Sequence, residues 1–122
     1  MSYVQLFVLA LLAGNQNSYG ESKLAEALKG RTAGKAVACI TMQNIRSSEI
    51  YDGTSIVYDM TEGTRYVNWP RSGANRLDNS AVMVADTHTP LLCSGEVIKL
   101  TDRASRIPRG FVTLGAFVPY RK

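Results

Sequence analysis

Apolar positions along the chain change their period near Gly34. Before it, in "ESKLAEALKGRTAGK", Leu24, Ala25 and Leu28 recur at helical spacing, with Ser22 able to cap and Gly30 to stop the element. The pattern predicts one short amphipathic helix of about nine residues. After Gly34 the period becomes two. "AVACITM" reads as a strand, and "SEIYDGTSIVYDM" as two strands about an Asp52-Gly53 turn. "TEGTRYVNW" adds a third after a Glu62-Gly63 turn, which makes a meander. "AVMVADT", "GEVIKLTD" and "GFVTLGAFVPY" follow, each bounded by Gly, Pro, Asn or Asp. The expected class is mainly β, α+β at the margin: a small antiparallel sheet curled into a barrel or sandwich, with one short N-terminal helix.

Two segments carry more specific expectations. "PRSGANRLDNS" is the longest polar connection between predicted strands and is expected to be mobile. In "PRGFVTLGAFVPYRK" both parities are apolar, Phe111 on one and Val112 and Leu114 on the other, so a single final strand covered on both faces is predicted. Gly115 should mark a bulge or a close backbone approach, and Pro119 should end pairing at an edge.

The first twenty residues differ from the rest. None of the fourteen Lys and Arg or ten Asp and Glu precedes Glu21, and an apolar run from Tyr3 to Ala13 is broken only by Gln5. As a helix it would rise roughly 16 Å, about half of a bilayer core, so no transmembrane span is expected. An apolar run followed by the small residues Ser18 and Gly20 fits a secretory signal cut before Glu21. The domain division is then 1–20, a secretion signal or short apolar segment, and 21–122, one β-rich domain. "LLAG" resembles a lipoprotein signal, but Asn15 occupies the position of the lipid-accepting cysteine, so no lipid anchor is expected. The alternative is a retained apolar segment, which would make the chain an assembly component.

Export bears on the two cysteines, Cys39 and Cys93, 54 positions apart. In an oxidising compartment such a pair joins; in the cytosol it stays reduced. A disulfide is the expectation. The rivals are a metal or redox site, with no Cys-x-x-Cys and only His88 to help, and a catalytic Cys93 with His88 as base.

Other chemistry is sparse. Asp86 and His88 would share a face in an extended segment, so a carboxylate could orient the imidazole of a small hydrolase or isomerase. No glycine-rich phosphate loop is present, and no cofactor is expected. Net charge is +4 with a pI near 9.3. Arg103, Arg106, Arg109, Arg121 and Lys122 cluster toward the C-terminus, interleaved with Phe111, Phe117 and Tyr120. Such a patch suits an anionic surface or an envelope protein partner; the mild charge excess argues against nucleic acid. The bland reading is a solvated rim around an aromatic strand.

The order of an apolar leader, "CITMQNIRSSEIYDGTSIVYDM", "RYVNWPRSGANRLD", "LCSGEVIKLTDR" and "PRGFVTLGAFVPYRK" resembles a family of small exported proteobacterial proteins of unknown function, with members in sphingomonads. The resemblance covers roughly residues 35–122 and rests most on the paired cysteines, "IRS" and "LGAFVPY". Trp69 replaces an expected basic residue, and a lipidation cysteine found in many members is absent. The resemblance implies export and a disulfide and no activity. The functional expectation is a periplasmic or secreted module that binds and does not catalyse. The alternatives are an accessory subunit of an envelope complex with a retained N-terminal segment, and a hydrolase or isomerase using His88 and Asp86.

Overall fold

The computed structural model describes residues 18–122, so the apolar run from Tyr3 to Ala13 lies outside the described residues. A helix, α1 (Ser18–Ala27), precedes ten strands: β1 (Thr32–Ala33), β2 (Cys39–Thr41), β3 (Ile45–Tyr51), β4 (Ser55–Met60), β5 (Arg65–Asn68), β6 (Ala81–Ala85), β7 (Leu91–Cys93), β8 (Val97–Asp102), β9 (Pro108–Thr113) and β10 (Phe117–Arg121). They form three antiparallel sheets ordered β1-β10-β5-β4-β3, β2-β7 and β6-β8-β9. Among the described residues none closes into a barrel. The mainly β class, with one short helix among the described residues, is as expected.

The five-stranded sheet is covered on both faces, which explains why β4 is buried along almost its whole length. Alternation sends Ile56, Tyr58 and Met60 to one side and Val57 to the other. The first face joins Ile98, Leu100, Val112 and Leu114 in the main core, with Tyr58 and Phe117 at 5.9 Å between ring centroids. The second face carries Tyr51, Val57 and Val67 against Leu24 of α1. Gly20 lets the helix approach: a Cβ there would lie 2.0 Å from the Asp52 carbonyl oxygen. The helix is described from Ser18, so Ser22, expected as its cap, lies inside it. Gly30 follows its end at φ +79°, as a stop should.

The meander β3-β4-β5 forms as the alternation predicted, with β3 and β4 joined through Asp52 and Gly53. The C-terminal segment does not form the single strand expected of it. It divides into β9, in the three-stranded sheet, and β10, in the five-stranded one, with Leu114, Gly115 and Ala116 between. Gly115 is indeed a close approach, since a Cβ there would fall 2.4 Å from the Trp69 carbonyl oxygen. The Asn68 side chain holds it, donating to the Gly115 carbonyl at 2.7 Å and accepting from its N–H at 2.9 Å. Pro119 does not end an edge; it pairs opposite Tyr66 inside the sheet. Gly34 donates to the Pro119 carbonyl, so the missing proline N–H faces the two-residue β1 and costs no bond to β5.

The segment expected to be mobile is stitched down. Arg71 N–H donates to Thr113, Thr113 N–H to Ser72 and Gly53 N–H to Leu77, whose side chain is buried in the main core. A 3-10 turn at Ala74–Arg76 makes the segment compact. Leu77 explains the difference: one large apolar residue anchors an otherwise polar stretch.

Candidate functional site

Cys39 and Cys93 form a disulfide. They face each other in the β2-β7 pair, and the Ser94 N–H to Ala38 carbonyl bond beside them marks theirs as a pair without hydrogen bonds. Cross-strand side chains come closest in such pairs. Both sulfurs are consumed, so Cys93 is neither a nucleophile nor a metal ligand. Among the described residues no group of three His, Cys, Asp or Glu side chains is placed to hold a metal, and no helix is long and apolar enough to cross a membrane.

Asp86 and His88 follow β6, and the chain bends at His88–Pro90. His88 falls in that bend, so the shared face assumed for an extended segment does not reach it. Both residues are exposed, and no hydrogen bond or ion pair joins them among the described residues. Neither lines any of the clefts described below, so the hydrolase or isomerase reading finds no support in their placement.

The basic cluster separates into two. Tyr120, Arg121 and Lys122 belong to the five-stranded sheet and its end. There Tyr120 packs with Leu24 and Leu28 at a cleft of about 400 Å³ beside Trp69. Arg121 Nε donates to Thr64 Oγ1 at 3.1 Å. Arg103, Arg106 and Arg109 belong to the three-stranded sheet, at and after the β8-β9 turn.

Within that second group the roles divide again. Arg109 is a brace: it donates to Ser80 Oγ at 2.8 Å and Asp102 Oδ1 at 3.3 Å, and lies 3.6 Å from Asp78 Oδ2. The Ser80 hydroxyl and N–H, followed by the Arg109 charge, hold the Asp78 carboxyl below its usual range. Asp102 is lowered mainly by the Ser105 N–H and hydroxyl, which fold the turn over its carboxylate. The Asp102 N–H donates to Ile107 and the Arg106 N–H to Asp102, while Arg106 takes φ 63°. A non-glycine residue there needs a turn that enforces it. The turn is thus fixed, and it presents Arg103 and Arg106 to solvent.

Beside them lies the outer face of the sheet, which carries more apolar surface than the alternation led us to expect. Val82 (41 % exposed), Val84 (45 %), Val97 (48 %) and Phe111 (54 %) point outward on all three strands. Val82, Val84, Thr101, Arg103 and Arg106 line a cleft of about 360 Å³. Phe111, assigned to a buried strand from the sequence, is in fact on this face, because the inward position opposite Ile98 belongs to Val112. The signal for the face was present: "AVMVA" is apolar on both parities, yet this three-stranded sheet leaves its outer face uncovered.

Another cleft, about 390 Å³, runs between α1 and β3 past Lys23, Glu26, Glu49 and Asp52. Its Tyr51 hydroxyl donates to Glu49 at 3.3 Å. Burial, and then the Glu49 charge, push that phenol up to about 12, so it remains a neutral donor at physiological pH.

Comparison with protein-family models, with curated proteins and with solved structures finds no match for the chain. The candidate site therefore rests on its own geometry: two cations on a fixed turn, beside an exposed apolar sheet face.

Proposed function

We propose that this chain is an exported, disulfide-stapled module that binds an anionic partner in the cell envelope and has no catalytic role. The observation that carries the reading is the pinned Asp102–Ile107 turn, which holds Arg103 and Arg106 exposed next to Val82 and Val84. Cations on a preorganised turn lose little entropy on binding, and neighbouring apolar side chains add area that excludes water. The Cys39–Cys93 bond supports export, because cytosolic thiols of this kind stay reduced. So does the resemblance to small exported proteins.

Co-sedimentation with vesicles of anionic phospholipid, against zwitterionic controls, tests the contact. Wild type is expected to bind the anionic vesicles and to release as salt rises, while the double variant Arg103→Glu, Arg106→Glu binds at least tenfold more weakly, since each reversed charge near an anionic surface counts for about 1 kcal/mol or more. Equal binding by the two proteins would end the assignment to this face.

A second reading, an accessory subunit with its N-terminal segment retained, draws on Gly20. The first turn of α1 rests against the Asp52 carbonyl, and a cut before Glu21 would remove it. N-terminal sequencing of the native protein separates the two: a chain beginning at Glu21 supports the processed form, and one beginning at or near Met1 supports the subunit.

A further inference from the structure

We infer that β6 is a pairing edge for a second copy of this chain, which would extend the three-stranded sheet across a two-fold axis. β6 lies at the end of the order β6-β8-β9 and reads Ala81-Val82-Met83-Val84-Ala85. It has none of the charges, prolines or bulges with which sheet edges are ordinarily blunted. Arg103 donates its N–H to the Ser80 carbonyl at 3.0 Å, which marks Ser80 and Arg103 as a hydrogen-bonded pair. Following the register, Val82 with Thr101 and Val84 with Lys99 are pairs of the same kind. The N–H and C=O groups of Met83 and Ala85 therefore point away from β8, toward the open side. There the edge of β3 does not pair with them; a cleft of about 400 Å³ lies between Ser48, Glu49 and Ile50 on one wall and Ala81, Val82 and Met83 on the other.

The strand is complementary to itself. With the two-fold axis at Met83, each Met83 exchanges hydrogen bonds with the partner's Met83, and the Ala85 N–H meets the partner's Ala81 carbonyl. The Ala81 N–H stays with Asp78. Val82 then stands opposite the partner's Val84 in a pair without hydrogen bonds, where side chains approach most closely. Both valines are more than two-fifths exposed in the single chain. Charge follows the same register. Ser80 comes opposite the partner's Asp86, and Arg103, beside Ser80 on the next strand, is then two strands from that carboxylate, about 10 Å between backbones and within reach of an arginine. Symmetry makes the contact twice.

The pairing uses the edge of the sheet and the anionic contact its face; Arg103, Val82 and Val84 serve both, so the two ideas are separated by Asp86→Arg, which should weaken only the dimer, and by Arg106→Glu, which should weaken only vesicle binding. Sedimentation velocity from low micromolar to submillimolar concentration should show wild type passing from monomer to dimer. Val84→Lys, at an exposed position whose main-chain bonds to β8 persist, should remain monomeric with an unchanged circular dichroism spectrum. Asp86→Arg and Arg103→Asp should each weaken the dimer on the order of tenfold, because the pair is lost twice, and the double swap should recover most of that loss. A wild-type protein that stays monomeric throughout overturns the inference. So does a dimer indifferent to Val84→Lys, or a double swap no better than the single ones.

Discussion

Asn68 decides the local geometry more than any other side chain described. It is fully buried, and both ends of its amide are taken by the N–H and C=O of Gly115, where the chain passes from one sheet to the other. Asn68→Ala would leave those two backbone groups buried without partners, at a cost of about 2–3 kcal/mol. Gly115→Ala should destabilise as well, since its new methyl would collide with the Trp69 carbonyl. Urea unfolding of the two variants and the double variant checks this; because both act on one contact, their effects should fall short of additive. The Arg109 brace gives a residue-scale prediction in pH. The Asp78 carboxyl, lowered from 3.8 first by the Ser80 hydroxyl, contributes stability at pH above its unfolded value. That contribution is lost as pH falls through the depressed folded value. Carboxyl NMR titration should place Asp78 below 3.8 in wild type and move it upward in Ser80→Ala; an unmoved titration would mean that the hydroxyl is not its main partner.

At the scale of elements, β10 is the strand on which the five-stranded sheet depends. It lies between β1 and β5, and Phe117 is fully buried in the main core. A chain ending at Gly110 would lose β10 and half of β9, exposing Val112, Leu114 and Phe117 partners at roughly 1.5–3 kcal/mol per large side chain. It is expected not to fold, as read by loss of cooperative thermal unfolding; a cooperative melt would show the sheet closing without its second strand. Neutralising Arg121 and Lys122 should by contrast leave the melt nearly unchanged. The hairpin of β3 and β4 was legible because alternation and an Asp-Gly turn coincide within a dozen or so positions. The division into β9 and β10 was not. Apolar alternation runs unbroken through Leu114, Gly115 and Ala116, and the residue that bends the chain there is Asn68, 47 positions away. β1 and β7, of two and three residues, are too short to show a period. The candidate site was half legible for the same reason. Clustering along the chain found Arg103, Arg106 and Arg109 together, but only the fold shows that Asp78 and Asp102 occupy the third.

Across the whole molecule, the disulfide joins two short strands that otherwise hold little. β2 and β7 form a sheet of their own, three residues each, with Ile40 and Leu92 as their share of the core. The link closes a separation of 54 residues that contains the entire β3-β4-β5 meander and β6. Constraining a loop of that size lowers the entropy of the unfolded chain enough to stabilise the fold by about 4 kcal/mol. Small domains have only about 5–15 kcal/mol in total. The bond is therefore expected to decide whether the protein is folded at elevated temperature. Reduction, or replacement of Cys39 and Cys93 by serine, should lower the urea midpoint markedly. The slope should rise modestly, because the unlinked chain unfolds to a more expanded state. Core packing of Ile40 and Leu92 acts in the folded state and would survive the replacement, so a variant that matched wild type would assign the stability of this region to those two side chains and not to the link. A midpoint that falls by the amount the loop length predicts would assign it to the unfolded chain.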